Sequence, residues 1–181
     1  ATLLHVPSIP TPEAVERHPH LGEACPEGWV RVDFHSHTMW SGDSTTTPEE
    51  LVECVAASGI DVLCVTDHNA IKGAEALVEQ LPCRVVIGEE LKTHAGEIIG
   101  LFLNERIPQG IRPEEAAQNI RDQGGIVYIP HPFDPLRNNL REDVLDQLVE
   151  ASLVDGIEVI NGKTSLQSLN RRAYTYAQEN D

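Results

Sequence analysis

The chain has 181 residues and a formal net charge of −16, with 29 acidic against 13 basic side chains. That balance excludes a surface that grips duplex nucleic acid by charge, and no run of about eighteen apolar residues is present to span a membrane as a helix. A hydrophobic content of 40% with 23% charged residues is that of one globular domain with a real core. With no basic-then-apolar leader, the expected location is cytoplasmic; the start at Ala1 also fits a fragment or a processed product.

Residues 1–28 carry five prolines and no sustained periodicity, and read as an irregular arm laid over a single domain at 29–181. Within the arm His18 and His20 flank Pro19, but no strand leads into them, so they read as a solvated turn; His5 has no supporting context. Val30, Val32 and Phe34 then alternate with polar neighbours, the pattern of a half-buried strand. The same alternation puts His35 and His37 on one face, where both imidazoles can reach a single ion. Asp43 follows in the turn segment Ser41-Gly42-Asp43-Ser44, and imidazole with carboxylate suits a first-row divalent metal.

Thr47-Pro48-Glu49-Glu50 opens a helix, with Thr47 as N-cap, Pro48 at the first position and Glu50 at the third, and Gly59 closes it. A second strand spans 60–65, a helix about 70–81, and a third strand 84–87. The fourth strand, 97–103, follows through a short turn without a helix. A helix from 112 to about 123 ends at Gly124-Gly125, and the fifth strand is 126–129. A helix over about 142–151 precedes the sixth strand, 156–160, and a last helix covers about 165–179. Apolar strands separated by helices predict parallel pairing with both faces covered. Cys25, Cys54, Cys64 and Cys83 lack C-x-x-C spacing, and Cys64, inside an apolar strand, reads as a small buried hydrophobe.

Polar and metal-ligating residue types recur where strands end: His35 and His37, Thr66-Asp67-His68-Asn69, Gly88-Glu89-Glu90, His131, and Asn161. A ring of such ends belongs to a barrel, whereas an open doubly wound sheet focuses its ligand at one switch point. His68 reads as a metal ligand. Asp67 reads as an orienting carboxylate or a helix cap. If the third strand stays extended only one of its two glutamates faces the site, and Glu90 is assigned there. Glu97 reads equally as ligand or solvated residue, and Asp33, on the face of His35, is placed to hold an imidazole by its second nitrogen. His94 is expected in solvent. There is no G-x-S-x-G turn, no phosphate-binding glycine loop and no G-x-G-x-x-G, so nucleotide-cofactor chemistry is not expected.

Taken in order, His35-Ser36-His37 with Ser41-Gly42-Asp43, Thr66-Asp67-His68-Asn69, Gly88-Glu89-Glu90 and His131-Pro132 resemble the polymerase and histidinol phosphatase (PHP) domain. The likeness runs from about residue 31 to the end and includes Asp155-Gly156-Ile157-Glu158-Val159. It implies a distorted (βα)7-type barrel that binds up to three divalent metals and hydrolyses phosphoesters. It further implies that His35, His37 and Glu90 hold one metal, that Glu90 bridges to a second completed by His131 and Glu97, and that Asp43 and His68 serve a third. Many members carry histidine where this chain has Glu97, which suits a harder metal such as manganese or iron; the divalent ions expected overall are manganese, zinc or iron. The family's late Asp-x-His motif is absent, so the expected barrel is incomplete at the C-terminus, with one or two metals held.

The function expected from this reading is a metal-dependent phosphoesterase. Its substrates would be small anionic phosphoesters: nucleotides, short oligonucleotide ends, or sugar and amino-alcohol phosphates. Catalysis would run through metals on His35, His37, Glu90 and His131. Lys92, Arg137, Arg141 and Asn161 are the candidate substrate contacts. Two other readings remain: a regulatory module that keeps the fold with an incomplete site, and an amidohydrolase-type metalloenzyme, which would want a bridging lysine that Lys92 fills poorly.

Overall fold

The structure is a computed structural model that describes residues 27–180. All but the last two residues of the proline-rich arm, including His5, His18, His20 and Cys25, lie outside the described residues. Six strands, β1 (Val32–Ser36), β2 (Val62–Val65), β3 (Arg84–Thr93), β4 (Gly96–Leu101), β5 (Ile126–Ile129) and β6 (Gly156–Ile157), form one sheet in sequential order. The helices are α1 (Pro48–Ser58), α2 (Lys72–Leu77), α3 (Pro113–Asp122), α4 (Glu142–Glu150) and α5 (Gln167–Glu179). None is long and apolar enough to cross a membrane among the described residues.

The all-parallel expectation needs correction. β1–β2, β2–β3 and β5–β6 pair in parallel, but β3–β4 and β4–β5 are antiparallel. The cause is local. β3 runs on to Thr93 rather than stopping at residue 87, and returns as β4 through His94 and Ala95, too few residues for a helical crossover. Gly96 adopts φ 132° at that turn, with the Leu140 backbone close enough to clash with any Cβ. Glu90 therefore sits inside a long strand, not at its end.

β1 and β6 are not paired with each other among the described residues, so the sheet is a curled half-barrel rather than a closed ring. Its curl brings β1 toward the far end of the sheet: Phe34 stacks on Tyr128 of β5 at 5.6 Å between ring centroids, and His35 meets Glu158, just past β6, at 3.2 Å. Cys64, Val86, Ile99 and Leu101 fill the concave side. On the convex side Leu51, Val55, Leu63, Val65 and Leu77 pack under α1 and α2, and Leu91, Ile98, Val127 and Ile129 pack against Ile120, Leu145 and Leu148 of α3 and α4.

Local chemistry sets the helix limits. Thr47 Oγ1 accepts from Glu50 N while Thr47 N donates to the Glu50 carboxylate at 2.8 Å, a complete capping box, and Gly59 closes α1 at φ 66°. The expected helix over 70–81 shrinks to the six residues of α2, because Asn69 takes φ 52° and no side chain caps its start. β6 keeps only two of its five expected residues, and β4 stops before Phe102, which adopts φ 61°.

Candidate metal centre

Alternation along β1 and β3 and the turns after β2 and β5 aim their polar side chains into one cavity of about 620 Å³ at the rim of the half-barrel. Asp33, His35, His37, Asp43, His68, Glu90, Glu97, His131 and Glu158 all line it. Glu90 is the centre. Its Oε2 lies 3.3 Å from His35 Nε2, 3.1 Å from His37 Nε2 and 3.3 Å from His68 Nδ1, and its Oε1 lies 2.9 Å from His131 Nε2. Glu97 stands next out, 3.8 Å from His68 Nδ1 and 3.7 Å from His131 Nε2. Asp43 closes the far side, 3.6 Å from His68 Nε2 and 3.8 Å from His37 Nδ1.

The donors fall into two overlapping triads, His35–Glu90–His131 and His37–His68–Glu90. His35 and His37, read from the sequence as sharing one ion, also sit with their Nε2 atoms 3.0 Å apart. Nitrogen and oxygen ligands of a first-row divalent ion lie at about 2.0–2.2 Å from it, which sets neighbouring donors about 3.0–3.5 Å apart. The spacing around Glu90 falls in that range. Imidazoles facing one another around a single buried carboxylate are the donor set of a divalent cation site. His131 Nδ1, buried with no hydrogen-bond partner among the described residues, is a further group the protein leaves unsatisfied. The residues fit a divalent metal.

Electrostatics follow from this crowding. Burial works against the charged Glu90, yet hydrogen bonds from His131, His35 and His37 hold its carboxyl far below the usual range. Burial also disfavours a charged His35, but Glu158 and Glu90 overcome it and raise the imidazole to about 10. Glu97 is pushed up by burial and then by the Glu90 charge beside it. For Asp43, a hydrogen bond from Ser41 and the nearby His37 and His68 outweigh partial burial and lower the carboxyl.

The supporting groups differ from expectation. Asp33 accepts from the His35 backbone N–H at 3.0 Å rather than holding its ring. It is Glu158 that meets His35 Nδ1, and its other oxygen accepts the His131 N–H at 2.6 Å and the Asn161 amide at 2.9 Å. That bond braces His131 in the left-handed region, φ 32°, a conformation costly for a side chain bearing Cβ. Asp67 neither caps α2 nor touches an imidazole: fully buried, it binds Thr38 N and Thr38 Oγ1 at 2.6 and 2.7 Å, fixing the turn that follows His37. Among the proposed substrate contacts Arg137 and Asn161 line the cavity, whereas Lys92 points to solvent and Arg141 forms a surface pair with Asp143. Glu158 and Lys163 were missed as site residues. A glutamate two positions past a glycine that starts a strand was a legible signal for the first; nothing in the local sequence marks the second.

Fold and site together define a metal-site protein built on a curled mixed α/β sheet. Residues 33–130 match the PHP domain, and the chain belongs to that family. An uncharacterised protein of Methanocaldococcus jannaschii is 39% identical over 145 residues, covering 73% of this chain and 82% of the relative. In structure the chain resembles a two-domain Bacteroides vulgatus protein containing a predicted PHP-like metal-dependent phosphoesterase, with a TM-score of 0.67 and 20% identity. The match covers 83% of this chain and 49% of that one, so the chain spans about half of the two-domain protein. It equally resembles a candidate metal-dependent phosphoesterase of Bifidobacterium adolescentis, at TM-score 0.67, 17% identity and 84% coverage of both chains. These likenesses place the fold among PHP-like structures.

Proposed function

We propose that this domain hydrolyses small phosphoesters at a divalent metal centre held by His35, Glu90 and His131 on one side and His37, His68 and Glu90 on the other. The observation that carries the reading is the convergence of four imidazoles on the single buried carboxylate of Glu90. When bound, divalent ions supply Lewis acidity and lower the pKa of a water toward ~7, giving a nucleophile at neutral pH. Manganese, iron and zinc all suit this mixed nitrogen and oxygen set, and one or two ions are the expected complement.

The chain's own residues do the rest. Glu158 orients His35 and braces His131; Ser41, which donates to Asp43 at 2.7 Å and accepts from His68 N at 3.1 Å, holds the outer pair. Asn138 donates to Glu97 at 3.3 Å. The cavity is open and polar, which suits a nucleotide, an oligonucleotide end or a sugar or amino-alcohol phosphate better than a buried apolar substrate. The exposed placement of Lys92 argues against an amidohydrolase-type site with a bridging lysine.

The test is hydrolysis of a panel of phosphoesters with manganese, zinc or iron(II) supplied, followed as phosphate release from the monoesters and as alcohol release from the diesters. The expected result is turnover by the wild type and loss of most of it in His68→Ala. A panel with no turnover under any metal would favour a regulatory module instead.

A further inference from the structure

Two loops form the mouth of the cavity, the turn after His131 and the segment after Glu158. Among the described residues they bring the only basic side chains in its lining apart from the histidines, Arg137 and Lys163. Three arginines at the surface of this acidic chain are paired at short range: Arg121 with Asp155, Arg141 with Asp143 and Arg172 with Glu142. Arg137 and Lys163 have no carboxylate in ion-pair range among the described residues, although the cavity below them is lined with glutamates.

Each cation is tied by its backbone to the donor cluster. Arg137 precedes Asn138, whose amide donates to Glu97. Lys163 N donates to Asn161 Oδ1 at 2.9 Å, and the amide of Asn161 donates to Glu158. The two loops are joined through Asp134, a buried carboxylate. Its Oδ1 accepts from Leu136 N at 3.0 Å, and its Oδ2 accepts from the buried Thr164 hydroxyl at 2.8 Å. Arg137 N donates back to the Asp134 carbonyl at 3.1 Å. A buried hydroxyl–carboxylate bond is worth making only with both partners present. It joins the residue next but one to Leu136 with the residue next to Lys163.

We propose that Arg137 and Lys163 grip the outward phosphoryl oxygens of the substrate at the mouth of the metal centre, and that the Asp134–Thr164 hydrogen bond sets their spacing. This rests on the phosphoesterase reading. The Arg137 guanidinium offers a planar fork to two oxygens and Lys163 a mobile point charge. Together they offset the repulsion that Glu97 and Glu158 exert on an approaching anion. Asp134 and Thr164 are positioning residues that touch no substrate.

Manganese-loaded protein is titrated with inorganic phosphate by calorimetry, with metal content measured on the same samples. Arg137→Ala and Lys163→Ala should each weaken phosphate binding about tenfold with metal content unchanged. Thr164→Val should weaken it about threefold to tenfold, and Thr164→Ser should restore it, since the serine keeps the hydroxyl. In ester hydrolysis these variants should raise KM more than they lower kcat. Phosphate affinity within twofold of wild type in both alanine variants, or no phosphate binding by the wild type, would overturn the grip. Equal behaviour of Thr164→Val and Thr164→Ser would overturn the role of the clip. Phosphate binding that depends on both cations without turnover of any ester would count against hydrolysis and in favour of the grip. Turnover with phosphate binding indifferent to both cations would do the reverse.

Discussion

Raising the pH should tighten metal binding, and the size of the effect follows from His35. Its imidazole is raised to about 10 in the metal-free protein, because Glu158 and Glu90 outweigh the cost of burial, and its side chain is only 9% exposed. A metal ligand must be unprotonated. At pH 7 the group lies three pH units below its midpoint, so freeing its nitrogen costs about 4 kcal/mol. Apparent affinity through His35 should therefore rise about tenfold per pH unit between about 6.5 and 8, with close to one proton released per ion from this residue. Calorimetric titration of manganese in buffers of different ionisation enthalpy counts that proton directly. Affinity flat across the range, with no proton released, would refute the charged His35 and the ligand role built on it.

The same groups set the pH dependence of metal-free stability. His35, raised on folding, contributes in full below about 6.5, and this contribution is lost as pH rises through about 10; Glu90, lowered on folding, contributes above its ordinary range and loses this only in strong acid. Chemical denaturation at pH 7 and 10 should show the metal-free domain weaker at the higher pH. Glu158→Gln should cut metal affinity about 10- to 100-fold while the fold survives, measured by competition with a chelating dye. Asp67→Ala removes the partner of two buried Thr38 groups and should cost about 3 kcal/mol in denaturant unfolding. Gly73→Ala should destabilise by about 1–3 kcal/mol, since its Cβ would clash with Asp67 Oδ2; a thermal midpoint within a degree of wild type would show that α2 can shift.

What could be read in advance was what depends on short-range pattern. The capping box at Thr47 and Glu50 and the alternation into His35 and His37 are local, and so is the choice of Glu90 over Glu89. The structure gives that choice a physical reason: Glu89 faces the convex side, where it accepts the Ile107 N–H at 3.0 Å and burial raises it to about 7. What escaped depends on long-range closure. The antiparallel β3–β4 hairpin hides in a strand whose second half, Glu89 to Thr93, carries three charged residues and lacks strand-like apolar content. Glu158 becomes a partner of His35 only because the sheet curls β6 toward β1, across 123 positions of sequence. Lys92 and Arg141 looked close to the site by strand position, but Lys92 is exposed near the end of β3, outside the cavity lining, and Arg141 is held in a surface ion pair with Asp143.

The most direct test of the metal centre is elemental analysis of wild type and Glu90→Gln after the same exhaustive dialysis. The substitution keeps the side chain's size and removes the one charge that four imidazoles share. The account predicts one or two tightly held divalent ions per wild-type chain and loss of most of that metal in Glu90→Gln. A wild type that retains no metal, or a Glu90→Gln chain that retains as much as the wild type, would contradict it.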